Sequence, residues 1–209
     1  MKQKTSHDLD QSLEKQTSFA IKNEEIPVKI LKEECRSQFG HLTVISEEIL
    51  LKNNTVKSFH IIDHPGAVVI IPEITKDKFL LIKQYRHSIR KWIYEFPAGT
   101  LSQYESPAQC ARRELEEETG YQCQNLISLG EILPAPGFCN EIQYGFVAKN
   151  LTPTGDSANN HATKDEDEYI EVEEFSLQKI LNLARDGLLQ DAKSLAFLLK
   201  LELSKNYAA

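Results

Sequence analysis

The chain has 209 residues, 41% hydrophobic and 26% charged, which suits one packed domain plus an extension and not a disordered polymer. Its 31 acidic residues outnumber 24 basic ones, for a formal charge of −7, which argues against a nucleic-acid backbone or an anionic membrane as main partner. An acidic protein that binds a small anion must recruit cations or a local group of arginines.

Residues 1–24 are polar, lack the apolar stretch of a signal peptide, and read as a poorly ordered tail or loose helix. No run of about 18 apolar residues occurs, so no membrane span is expected. Cys35, Cys110, Cys123 and Cys139 form no CxxC pair and no zinc spacing; this usage fits a reducing cytoplasm, with Cys110 packing in a core. In residues 25–63, the pieces PVKILKEECRS, HLTVISEEILL and VKSFHIID predict a small antiparallel sheet. His64-Pro65-Gly66 punctuates the chain, and residues 64–209 follow as the main domain. AVVIIPEI and FLLIKQY read as buried strands joined near Lys76-Asp77, and WIYEFPA as a short strand. A helix then opens at Ser106, with Pro107 in its first position and Gln109 completing a capping box, and stops at Gly120. YQCQNLISLGEIL and EIQYGFVA predict two more strands, and residues 150–167 a polar loop. EYIEVEEF closes the strands, followed by helices SLQKILNLARDG and DAKSLAFLLKLELSK, the first ending at Gly187.

The helix after Ser106 carries the chemistry. Ala108, Ala111 and Leu115 fall on one face for packing, while Glu114, Glu117 and Glu118 share another. Like charges at this spacing destabilise a helix by about 0.2–0.5 kcal/mol per pair, so the cluster needs a counter-charge. Mg²⁺ supplies one: it takes carboxylate oxygens, keeps several waters and bridges to substrate phosphates.

Gly99, Glu105, Arg113, Glu114, Leu115, Glu117, Glu118 and Gly120 lie at the spacing G-x5-E-x7-R-E-L-x-E-E-x-G. This stretch, residues 99–121, resembles the Nudix box of hydrolases that split a nucleoside diphosphate linked to another moiety; Tyr121 departs from the aliphatic residue usual there. HPGAVVIIP, LIKQYR, YEFPAGTL and LPAPGF are similar to the motifs of the ADP-ribose pyrophosphatase branch. The resemblance implies an α/β (α+β) Nudix fold, a mixed sheet sandwiched between helices, after a small N-terminal β-domain that makes a homodimer.

It also implies roles. Glu114 and Glu118 would be metal ligands together with the Ala98 carbonyl, and Glu117 would share a metal or orient a water. Gly99, Glu105 and Arg113 would have supporting roles, Arg113 pairing carboxylates to hold the helix end in place. Arg86 would contact a phosphate or the distal ribose, Glu95 would hydrogen-bond substrate hydroxyls, and Pro136 would go with ADP-ribose preference. The general base would lie in HATKDEDEYIEV, with Glu166 as base, Glu168 as a further metal ligand, and Asp165 and Asp167 as competitors. The implied reaction is Mg²⁺-dependent (Mn²⁺ as substitute) hydrolysis of ADP-ribose to AMP and ribose 5-phosphate. GDP-mannose or another nucleoside diphosphate sugar is the runner-up, and a non-catalytic nucleotide-sugar sensor the distant third. Where the branch often carries an Arg-Glu pair before HPG, this chain has Phe59-His60, which leaves base and sugar preference open. His60 and His64 have no third ligand for zinc, and Trp92 is expected to pack on the sheet.

Overall fold

The computed structural model describes residues 26–40, 42–154 and 169–206; the N-terminal tail, Glu166 and Glu168 lie outside the described residues. The chain divides into two compact units, one running to Arg36 and resuming over Ile45–His60, the other comprising Ser37–Val44 and Ile61–Ala209.

Strands β1 (Val28–Phe39), β2 (Leu42–Leu51) and β3 (Val56–Asp63) form a three-stranded sheet in that order. Ile45 and Ile49 of β2 are buried, while Ile30, Leu31, Val56 and Phe59 are exposed.

The larger sheet is built on β4 (Ala67–Thr75). Its run Val68-Val69-Ile70-Ile71 is wholly inaccessible, as expected of a strand covered on both faces. It pairs in parallel with β9 (Gln143–Pro153) and antiparallel with β5 (Lys78–Arg86). Outside these lie β8 (Tyr121–Ile132) next to β9, and β10 (Ile170–Ser176) next to β5. Val68 and Ile70 pack on helix α1 (Pro107–Thr119) through Ala111 and Leu115. Val69 and Ile71 pack with α2 (Leu177–Arg185) and α3 (Ala192–Asn206) through Ile180, Phe197 and Leu201. Helices thus cover both faces of a mixed sheet. At Gly145 of β9 an added Cβ would overlap the Phe197 ring, so bare backbone lets α3 dock closely. No described helix is long and apolar enough to cross a membrane.

Two segments differ from the sequence reading. WIYEFPA is not one strand: it splits into β6 (Lys91–Glu95), paired with β5, and β7 (Ala98–Thr100), paired with β4. The break falls at Phe96-Pro97, where proline cannot donate to a ladder. The loop expected from residue 150 does not start there, because β9 continues to Pro153, which pairs with Tyr121. Gly120 stops α1 so abruptly that β8 starts at once, and its first residues give Leu151 to Pro153 a ladder to join.

Candidate active site

The site begins with the start and stop of α1. Ser106 caps the helix in extended conformation, its hydroxyl accepting the Gln109 N–H while the Gln109 side chain accepts the Ser106 N–H at 2.9 Å. At the other end Gly120 takes φ 73°, ψ 20°, and its N–H donates to Glu116 O at 2.8 Å. The helix is therefore held at both ends, and the glutamates between have a set direction.

Their counter-charge within the protein is Arg113. Its Nε and Nη2 donate to the two oxygens of Glu105, each at 2.9 Å. Its Nη1 donates to Glu114 at 2.7 Å and to Glu117 at 2.8 Å. The Arg113 hydrogen bond, helped by the Ser102 N–H, holds the Glu105 carboxyl at about 2, below the ordinary carboxylate value. The same Glu105 contact raises the Arg113 guanidinium. Three carboxylates thus share the guanidinium of Arg113.

β7 lies against this cluster. A Cβ on Gly99 would overlap the Glu114 carboxylate, so the missing side chain is the space Glu114 occupies. Glu118 is 4% exposed and accepts the Ala98 N–H at 2.9 Å. Ala98, Gly99, Glu105, Arg113, Glu114, Glu117 and Glu118 are thus brought together around one strand and one helix. Cys110 is fully buried below them, its thiol 3.5 Å from Thr100 O; burial pushes the thiol up, so it stays protonated.

Arg86 and Glu95 form a second group. Arg86 Nε and Nη2 each donate to a Glu95 oxygen at 2.7 Å. Glu95 is 1% exposed and also receives Lys193, which pairs with Asp191 at 3.0 Å. Burial raises the Glu95 carboxyl, but the hydrogen bond from Arg86 and the charge of Lys193 outweigh it and hold it below its ordinary value. Arg86 is raised chiefly by its Glu95 bond, with the fields of Glu118 and Asp191 adding to it, so it lies within electrostatic reach of the helix cluster. Glu95, expected to meet substrate hydroxyls, has both oxygens engaged by Arg86 and Lys193. In this arrangement it fixes the direction of a partly exposed guanidinium.

Pro136 lies on a separate exposed turn, where Phe138 and Cys139 N–H groups both point to Ala135 O. Ile62 clasps that turn, donating to Phe138 O at 2.8 Å and accepting from Asn140 N–H at 3.1 Å. A cavity of about 790 Å³ is lined by Asp63, His64, Pro65, Thr100, Leu101, Ser102, Gln103 and Glu105 among others. That is within the ~300–1,000 Å³ of small-molecule sites. His64 Nδ1 accepts the Gly66 N–H at 3.0 Å, which assigns it to the turn. Trp92 packs against Tyr85 at 5.8 Å between ring centroids, under Lys83, yet stays 46% exposed.

Lys193, Asp191 and Ser194 escaped the sequence reading. Asp191 is legible there as a helix-start residue. That the helix it opens reaches residues 95 and 96, almost a hundred positions earlier, is not.

The NUDIX domain family model matches residues 63–197. The chain belongs to the Nudix family. It is 36% identical over 148 residues to the ADP-ribose pyrophosphatase of Bacillus subtilis, covering 71% of this chain and 78% of that relative. It is 35% identical over 159 residues to the methanol dehydrogenase activator of Bacillus methanolicus, covering 76% and 84%. With the GDP-mannose pyrophosphatase of an Enterobacter species it shares 30% identity over 146 residues, covering 66% and 74%. Among solved structures, an ADP compounds hydrolase superposes with a TM-score of 0.76 at 22% identity, covering 90% of this chain and 98% of that one. The fold is a Nudix fold, and the chain is a Nudix hydrolase.

Proposed function

We propose that this Nudix hydrolase cleaves the diphosphate linkage of nucleoside diphosphate sugars, with ADP-ribose preferred and AMP and ribose 5-phosphate as products. The observation that carries the diphosphate chemistry is the acidic cluster of α1 folded against Ala98-Gly99, with Arg113 bridging its carboxylates. The relatives named for ADP-ribose and GDP-mannose supply the substrate class, and the higher identity to the first supports the order of preference.

The donor set suits a hard divalent cation. Among the described residues no three His, Cys, Asp or Glu side chains close into a cage. Mg²⁺ does not require one, since it keeps waters and shares ligands with phosphate. Glu114, Glu118 and the Ala98 carbonyl would hold it, with Glu117 alongside and Mn²⁺ as substitute. Bound there it would neutralise charge on the diphosphate and make water easier to deprotonate. Arg86, aimed by Glu95, would clamp a phosphate through its planar fork. Glu166 would take the proton of the attacking water and Glu168 would add a ligand. As general base Glu166 should contribute roughly 10²–10⁴-fold. If Asp165→Asn or Glu168→Gln costs far more turnover than Glu166→Gln, the base is assigned to the wrong residue.

The deciding experiment is a hydrolysis panel of ADP-ribose, GDP-mannose, other nucleoside diphosphate sugars and nucleoside triphosphates, with Mg²⁺ and with Mn²⁺. ADP-ribose should have the highest kcat/KM, with measurable activity on other diphosphate sugars because Phe59-His60 replace the expected Arg-Glu pair. A tenfold lead for GDP-mannose or a triphosphate, about 1.4 kcal/mol in transition-state binding, removes the ADP-ribose assignment.

A further inference from the structure

The start of α3 carries a polar relay that the roles above leave unused. Asp191 caps this helix: its Oδ2 accepts the Ser194 N–H at 2.9 Å and the Ser194 hydroxyl at 2.6 Å. Ser194 is fully buried, on a helix whose other inward residues include Phe197, Leu198 and Leu201. A buried hydroxyl costs free energy unless its hydrogen bonds are made. This one makes two, donating to Asp191 and accepting the Phe96 N–H at 2.8 Å.

Phe96 is one proline away from the cation cluster. The Pro97 carbonyl accepts the Ile70 N–H at 2.8 Å, and the Ala98 N–H donates to Glu118 at 2.9 Å. Proline locks its own φ and biases the residue before it toward extended backbone. A shift at Phe96 therefore passes to Ala98 with little slack. Satisfying one buried amide would need only a water or a main-chain carbonyl. Here a capped helix start is spent on it, and the amide belongs to the segment that meets Glu118.

We infer that Asp191 and Ser194 are positioning residues of the cation site: through the Phe96 N–H they hold the Phe96–Pro97–Ala98 segment so that Ala98 and Glu118 present their oxygens together. The inference rests on the reading of Ala98 and Glu118 as ligands.

The test is a calorimetric titration of the whole protein with Mn²⁺ alone, beside an activity titration with Mg²⁺. Residues that orient ligands typically change metal affinity 10–100-fold. Ser194→Ala should therefore weaken Mn²⁺ about tenfold and raise the Mg²⁺ needed for half-maximal turnover in parallel. Its substrate KM at saturating metal should stay within about twofold of wild type. Leu201→Ala removes core contact on the same helix without touching the relay; it should lower the thermal midpoint and leave Mn²⁺ affinity unchanged. Should Ser194→Ala fail to fold, Asp191→Asn takes its place and must weaken Mn²⁺ in the same direction. Unchanged affinity in the relay variant, or equal weakening in Leu201→Ala, overturns the inference. Absence of Mn²⁺ binding by the wild type overturns both it and the ligand reading beneath it.

Discussion

Arg113 explains how α1 tolerates its own charge. Glu114, Glu117 and Glu105, one, four and eight positions away, all bind this one guanidinium, which offsets their repulsion. Glu118 is the most buried carboxylate of the helix face, held by a main-chain amide. Glu118→Gln keeps its shape and loses its charge, so turnover should fall by orders of magnitude while circular dichroism and the unfolding midpoint change little. A folded Glu118→Gln enzyme with wild-type kcat would falsify the cation reading. Glu105 has a different signature. Its folded-state value of about 2 lies below the unfolded value of about 4.3, so it stabilises the protein above that unfolded value and the contribution is lost as pH falls toward 2. Urea unfolding of wild type and Glu105→Gln should show a gap that is full near pH 7 and narrows progressively below about pH 4.5. A gap that stays constant to pH 3 would assign the loss to packing instead of the ion pair.

At the scale of elements, two glycines frame the same helix for opposite reasons. Gly120 ends it in the left-handed region, where a side chain brings backbone strain. Gly99 sits in β7, and it yields its side-chain space to Glu114. Gly120→Ala should lower stability by about 1 kcal/mol, the usual scale for an alanine forced to positive φ, and leave kcat near wild type. Gly99→Ala should do the reverse, displacing Glu114 and cutting kcat at least tenfold with a smaller stability change. Thermal melts and steady-state kinetics on the pair separate these outcomes, and a fully active Gly99→Ala would show that Glu114 works from elsewhere.

On the scale of the whole molecule, the three-stranded sheet stands out because its apolar residues are so unevenly covered. Ile45 and Ile49 are buried, while Ile30, Leu31, Val56 and Phe59 are exposed. An isolated sheet of this size needs a cover for its hydrophobic residues, and apolar surface of this kind marks interfaces. We propose a homodimer in which this segment contacts a second copy. Light scattering at micromolar concentration should return twice the chain mass, and Phe59→Glu should shift it toward monomer. A fully active wild-type monomer under those conditions would remove the proposal.

The amino-acid sequence by itself determined the helix of the site and the order of its chemistry. Caps, helix spacing and turn residues act between neighbours three or four positions apart, so Ser106, Gln109, Gly120 and the face shared by Glu114, Glu117 and Glu118 were readable without a fold. The apolar run of β4 was readable for the same reason, since a strand buried on both faces has no polar alternation. Tertiary structure decided what these elements meet. Arg86 is nine residues from Glu95, but the hairpin of β5 and β6 makes them a bidentate pair, and only the docking of α3 adds Lys193 to it. The pairing of Ala98–Thr100 with β4 and the extension of β9 to Pro153 also came from partners far along the chain. Such contacts are set by which surfaces close together on folding. Local propensity carries no record of them, so the helix was legible before the fold, while the hand that holds Phe96 was not.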